Sequence, residues 1–223
     1  MVKKFYEETG MYVDWKQLAK LPEIDTLIDI GIGSYGTEEI YNRFPKAKLI
    51  LIDPLDEAKA YADKLAKKRD VTFFYKALGR QDGIEKELKV QRDLGKTSFL
   101  EISEINMKDD YTDIKKIKIE KLDTILKDHT DLGKTGIKID VEGYELEVVL
   151  GAEETLKNAK FLIAEVRHNH ESLKNVYKLS EFMNLMTKNR FVLTMILTAK
   201  PFIADLCFEP VKSWGDFIWY LNS

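Results

Sequence analysis

A chain of 223 residues, 44% hydrophobic and 33% charged, is long enough to bury one sizeable core without disulfide or metal staples, and its composition excludes global disorder. A formal net charge of −3 argues against broad, sequence-independent contact with nucleic acid. No run approaches the roughly 18 uncharged apolar residues of a membrane helix. The N-terminal MVKKFYEETG lacks the apolar stretch of a secretory signal, and the single Cys207 lies in an apolar segment, so a cytoplasmic protein with a buried, reduced thiol is expected.

No repeat, low-complexity tract or Pro/Gly/Ser linker divides the chain, so one domain over 1–223 is expected. Residues 11–20 read as a short helix with Met11, Trp15 and Leu18 on one side; residues 1–24, with the aromatics Phe5, Tyr6 and Tyr12, form a helical segment or lid. TLIDIG (26–31) is an apolar run bounded by turn residues, the look of a buried parallel strand. YGTEEIYNRF follows as a helix with Glu38 and Glu39 in its first turns, where the dipole favours them. KLILIDP (48–54) is a strand, residues 56–69 an amphipathic helix, and VTFFYKAL (71–78) a third strand. This β-α-β-α-β order requires a parallel sheet with right-handed crossovers. Residues 79–122 read as an insertion with one or two edge strands, IEKELKV and KIKIEKL, whose lysines suit a solvated edge. TGIKID (135–140) is a strand, 143–152 a helix, 160–168 a strand, 175–189 a helix, 191–199 a strand and DFIWYL (216–221) a last strand. The connection from Lys200 to Gly215 carries two prolines and no helical pattern, which suits an antiparallel return. A Rossmann-like α/β fold is expected: a mostly parallel seven-stranded sheet with an antiparallel C-terminal strand and helices on both faces.

The stretch LIDIGIGSYGTEE (27–39) spells Gly31-x-Gly33-x-x-Gly36 between a strand and a helix. Glycines there allow a tight turn and a close approach of ligand to main chain. Asp53, twenty positions beyond Gly33 at the end of the next strand, is placed to bond ribose hydroxyls. That geometry serves both a nicotinamide dinucleotide and S-adenosylmethionine. Asp29, two residues before the first glycine, together with Glu38 and Glu39, brings negative charge to the turn. This is unfavourable beside a pyrophosphate and suits a sulfonium and an α-ammonium, and the chain has no room for the separate substrate domain of a dehydrogenase. S-adenosylmethionine is the preferred cofactor. The expected donor-binding residues are Asp29, Gly31, Gly33, Tyr35, Gly36, Asp53, Pro54, Ala77 and Asp140. Alternatives are an NAD-dependent oxidoreductase and a non-catalytic methyltransferase-like binding module. Asp29 capping backbone N–H groups in the turn is compatible with either cofactor.

A second stretch, IKIDVEGYELEVVLGAEETL (137–156), combined with LIDIGIGSYG and FLIAEVRH, resembles the FkbM-type family of S-adenosylmethionine-dependent methyltransferases, over roughly residues 25–170. The resemblance implies a class I methyltransferase fold and O-methylation, often of sugar or polyketide hydroxyls. Asp140 and Glu142 fall where a central strand gives way to its helix, at the carboxyl edge of the sheet where ligands bind. Asp140 faces the methionine part of the donor or the methyl group in this reading. Glu142 orients the acceptor or caps the helix, and Gly143 permits the turn. Lys138, inside a strand that is expected to be central, needs a carboxylate or the sheet's end for its amine.

An alcohol acceptor needs a general base. Candidates are Glu165, His168 and His170 in AEVRHNH; His168 is the expected base, Glu165 orients it or the acceptor, and His170 contacts the acceptor. His168 and His170 as zinc ligands would be a lone H-x-H, a weak signal. A magnesium site built on Asp140 and Asn169 lacks a second acidic ligand, so no metal is expected. His129, among aspartates in a loop, reads as a surface residue. The expected partner is a small-molecule or glycan acceptor, without nucleic acid or membrane.

Overall fold

The computed structural model describes residues 12–100, 111–167, 176–200 and 203–211. Along the chain lie β1 (Tyr12–Val13), a 3₁₀ turn (Trp15–Lys20), β2 (Thr26–Ile30), α1 (Glu38–Arg43), β3 (Lys48–Ile52), α2 (Asp56–Leu65), β4 (Val71–Phe74) and β5 (Ala77–Leu78). These are followed by β6 (Glu85–Gln91), a 3₁₀ turn (Leu94–Lys96), β7 (Tyr111–Glu120), α3 (Leu122–Leu126), β8 (Thr135–Ile139), α4 (Glu145–Leu150) and α5 (Glu153–Asn158). β9 (Ala159–Arg167), α6 (Leu179–Lys188), β10 (Phe191–Ala199) and β11 (Ile203–Pro210) complete the described chain.

Eight strands form the main sheet in the order β1-β10-β11-β9-β8-β2-β3-β4. β9, β8, β2, β3 and β4 are parallel, whereas β11, β10 and β1 join antiparallel. The expected mostly parallel sheet with an antiparallel C-terminal return is therefore present, with eight strands among the described residues in place of seven. The central strands are buried on both faces, which is why they read as unbroken apolar runs. Leu27, Ile28, Leu49, Ile50, Leu51 and Ile137 are all fully buried, each contributing roughly 1.5–3 kcal/mol of transfer free energy. Alternation along each strand divides them between two cores. Ile28, Ile30, Ile50, Ile52, Ile137 and Ile139 face one side, and Leu27, Leu49, Leu51, Phe161 and Ile163 face the other.

Several expectations are corrected. Residues 12–20 are not one helix: Tyr12 and Val13 pair with Ala199 and Thr198, and the turn that follows is 3₁₀. The run 71–78 is split, because the Lys76 N–H turns back to the Phe74 carbonyl at 2.9 Å and diverts the chain into a second sheet. That sheet has the order β5-β7-β6, so the insertion carries a small sheet of its own and not edge strands of the main one. The helices α3 and α5, five and six residues long, are too short to show a period. The antiparallel return runs through Ile203–Pro210, inside the segment read as connection, with Pro210 at the strand's last position where a missing N–H is harmless. The expected strand 216–221, and Phe5 and Tyr6 of the expected lid, lie outside the described residues. Among the described residues no helix is long and apolar enough to cross a membrane.

Candidate active site

The chain proceeds from β2 outward to β3 and β4, then returns to the other side of β2 through β8. The gap between the carboxyl ends of β2 and β8 is thus the point where the sheet order reverses, the usual ligand crevice of such sheets. On the β2 side Gly31, Gly33 and Gly36 adopt φ of +80°, +55° and +60°, a region that other residues enter only under strain. A β-carbon at Gly31 would lie 1.8 Å from the Asp140 carbonyl oxygen, so the two strand exits touch backbone to backbone. A β-carbon at Gly33 would meet no atom within 4 Å; the space above it is the cavity that Gly33 lines.

Asp53 stands just past β3. Its Oδ2 accepts the Gly33 N–H at 3.0 Å and its Oδ1 the Leu55 N–H at 2.9 Å, which leaves each oxygen a lone pair for a ligand hydroxyl. Burial raises its pKa to about 6, against the pull of the Gly33, Leu55 and Ile32 N–H groups, with nearby Asp29 adding to the rise. Asp29 lies deeper, 1% exposed. Its Oδ2 accepts the Tyr41 hydroxyl at 2.6 Å, while Oδ1, also buried, has no hydrogen-bond partner. Burial lifts Asp29 to about 6; Lys138 and the Tyr41 hydroxyl oppose the lift and Asp140 reinforces it.

On the β8 side, Asp29 is the register partner of Lys138, and Lys138 that of Ile163. Alternation then puts Lys138 and Asp140, Glu165 of β9 and its register partner Asp205 of β11 on the same face of the sheet. Lys138 is 1% exposed. Its ammonium lies 3.2 Å from Asp140 Oδ2 and 3.3 Å from Asp205 Oδ1, which answers the question its place in a central strand raises. Burial alone would lower the Lys138 pKa, but Asp140, Asp205, Glu165 and Asp29 together hold it well above the ordinary lysine value.

The turn after Asp140 is built by Glu145, which is fully buried. Glu145 Oε1 accepts the Val141 and Gly143 N–H groups at 3.2 and 3.0 Å, and Oε2 accepts the Tyr177 hydroxyl at 2.7 Å. This leaves Glu142, at φ +52°, free of the capping task and ion-paired with Arg167. Carboxylate oxygens of Asp140, Glu142 and Glu165 lie within 4.8 Å of one another. Burial pushes Glu142 above the ordinary glutamate range, with Arg167 opposing and Asp140 and Glu145 adding. Glu165 is raised by burial and then by Asp140 and Glu142, with Lys138 opposing.

A cavity of about 520 Å³ connects the two exits. Of the residues named from sequence, Gly31, Gly33, Tyr35, Gly36, Asp53, Pro54, Ala77, Asp140, Glu142 and Glu165 line it, and Asp29 lies beneath the turn. Trp15 lines it too, from the segment expected to form a lid. His168, Asn169 and His170 lie outside the described residues. The sequence reading missed Asp205, Phe99 and Tyr144, which also line the cavity. It also missed a cluster of acids: Glu142 and Glu165 both join Asp140, so the lack of a second acidic group is corrected, and among the described residues these three are the grouping compact enough to ligate a cation. His129 is half-buried, its ring edge-to-face with Phe74 at 5.4 Å.

Several solved structures match the chain at low identity. Magnesium protoporphyrin IX methyltransferase from Synechocystis PCC 6803, with bound SAM, is 12% identical over 88% of this chain and 76% of its own, with a TM-score of 0.46. A SAM dependent methyltransferase from Aquifex aeolicus is 14% identical over 89% and 90%, with a TM-score of 0.47. Precorrin-6y C5,15-methyltransferase from Geobacter metallireducens GS-15 is 10% identical over 87% and 85%, with a TM-score of 0.44. No curated protein matches the chain significantly. The Methyltransferase FkbM domain matches residues 31–193, from the first glycine of the turn into β10 and so across both strand exits. With the glycine turn, Asp53 and the Asp-Val-Glu-Gly exit all inside that match, the chain belongs to the FkbM family of S-adenosylmethionine-dependent methyltransferases.

Proposed function

We propose that the chain methylates a hydroxyl oxygen of a small molecule or a sugar, with Glu165 receiving the hydroxyl's proton. The observation behind this reading is the position of Glu165, raised in proton affinity, beside Asp140 and Glu142 in the same cavity as the glycine turn.

The residues present fit S-adenosylmethionine. A side chain at Gly33 would enter the open space beside the turn, the Asp53 oxygens keep lone pairs for two ribose hydroxyls, and the buried Asp29 carboxylate puts negative charge beneath the turn. When bound, the cofactor supplies an electrophilic methyl group on a positively charged sulfur. Asp140 and Glu142 both line the cavity, Glu142 held by Arg167; in this reading Asp140 meets the donor and Glu142 the acceptor. Glu165 takes the acceptor's proton as the new oxygen–carbon bond forms. A carboxyl raised by burial and neighbouring carboxylates holds its own proton near neutral pH, and it becomes available as a base when a cation brought into the cavity draws its pKa back toward neutrality. Closing the cavity around both partners supplies proximity, in which most of the acceleration of an in-line transfer resides.

The test is transfer of a labelled methyl group to a panel of sugars, polyols and phenols, with products resolved as ethers, amines or thioethers. Methyl ethers, and a loss of at least about a hundredfold in kcat for Glu165→Gln with S-adenosylhomocysteine affinity kept within about threefold, are the expected result. Label on nitrogen or sulfur, or full activity of the variant, overturns it.

A further inference from the structure

Lys138 is an expensive residue for its position. Its strand neighbours Ile137 and Ile139 are fully buried, its own side chain is 2% exposed, and an apolar side chain of similar volume would pack there without desolvating a charge. The ammonium is nevertheless tied on two sides. Thr198 of β10 donates its hydroxyl to Asp205 Oδ2 at 2.5 Å, and Asp205 is the register partner of Thr198 on β11. The other Asp205 oxygen, Oδ1, pairs with Lys138 at 3.3 Å, and Lys138 pairs with Asp140 Oδ2 at 3.2 Å. One chain of polar contacts therefore runs from the antiparallel hairpin, over β9, to the exit of β8. It ends on a carboxylate that is partly exposed in the cavity, with its Oδ2 committed to the ammonium.

We infer that Lys138 is the positioning residue of the donor site: by holding Asp140 Oδ2, anchored in turn by Asp205 and Thr198, it fixes the one carboxylate that S-adenosylmethionine and its product meet at the β8 exit. This rests on the cofactor assignment above. A buried lysine that only offset surrounding negative charge would act differently from one that aims a carboxylate. Removing a mere counter-charge makes the site more negative, and so tightens a sulfonium relative to a neutral thioether. Removing a positioning group weakens both ligands alike.

Calorimetric titration of the full chain with S-adenosylmethionine and with S-adenosylhomocysteine separates these cases, for the wild type, Lys138→Met, Lys138→Arg, Asp140→Asn and the Lys138→Met/Asp140→Asn pair. The expected result is a loss of about tenfold or more in affinity for both ligands in Lys138→Met and in Asp140→Asn, no further loss in the pair, and recovery to within about threefold in Lys138→Arg. Affinity unchanged in Lys138→Met, losses that multiply in the pair, or tightening of the sulfonium ligand alone overturns the inference while leaving the cofactor in place. Failure of the wild type to bind either ligand removes the cofactor assignment and this inference with it. If Lys138→Met does not fold, the wild type decides. The Lys138 Nζ resonance of ¹⁵N-lysine-labelled protein should shift on saturation with S-adenosylhomocysteine, and an unmoved resonance overturns the inference.

Discussion

Asp29→Asn separates what a buried carboxylate costs the fold from what it does for the donor. Burial raises the Asp29 pKa from 3.8 to about 6, with Lys138 and Tyr41 pulling the other way and Asp140 adding to the rise. A carboxyl group with a higher pKa in the folded state binds its proton more tightly there. Its contribution to stability is therefore complete below about pH 3.8 and is lost as the pH rises through about 6. The whole shift corresponds to about 3 kcal/mol, of which roughly 1 kcal/mol falls between about pH 5 and about pH 7.5. Asparagine does not titrate, yet it keeps a carbonyl oxygen for the Tyr41 hydroxyl. Urea unfolding of both proteins at the two pH values isolates the titration. The wild-type stability minus the variant's should fall by roughly 1 kcal/mol from the lower to the higher pH. At the higher pH the variant should also bind S-adenosylhomocysteine at least about tenfold more weakly. A difference in stability that does not change with pH would refute the raised pKa, and an undiminished affinity would take Asp29 out of the donor site.

Other perturbations probe the same construction. Gly33→Ala should fold, at a cost of about 1–2 kcal/mol for a left-handed alanine, and lose donor affinity on calorimetry, since its methyl group enters the cradle. Gly31→Ala should fail to reach the native state by circular dichroism, because its β-carbon meets the Asp140 carbonyl. Tyr41→Phe removes the 2.6 Å hydrogen bond that opposes the rise in the Asp29 pKa. It should lower stability by about 1–3 kcal/mol and move the acid limb of S-adenosylhomocysteine binding to higher pH. Cys207 is fully buried and its thiol is pushed up to about 12, so a chromogenic disulfide reagent should label it only after unfolding in urea, native labelling being slower by about a thousandfold or more.

The glycine turn and Asp53 on the β2 side of the cavity were legible because they rest on local rules. Three glycines after an apolar run, with an aspartate at the next strand end, specify a turn and its ligand face without long-range information. The other side depends on register. Lys138, Glu165 and Asp205 share a face only through the pairing of β8, β9 and β11, and Asp205 sits in a strand that its neighbouring prolines and the aromatic run at 216–221 disguised. Glu145 was hidden differently: one buried carboxylate closes the turn that Glu142 was expected to cap, and two glutamates three residues apart cannot be told apart by type. The Lys76 backbone turn that splits the third strand likewise leaves no mark in the pattern of apolar residues.

The contact of Gly31 with the Asp140 carbonyl makes the two strand exits a single mechanical unit. A ligand that displaces the glycine turn must therefore also move the acidic turn beside it, because no side chain or gap separates them. Ligands bound at the two turns should therefore influence one another's affinity, and linkage makes that influence equal in both directions.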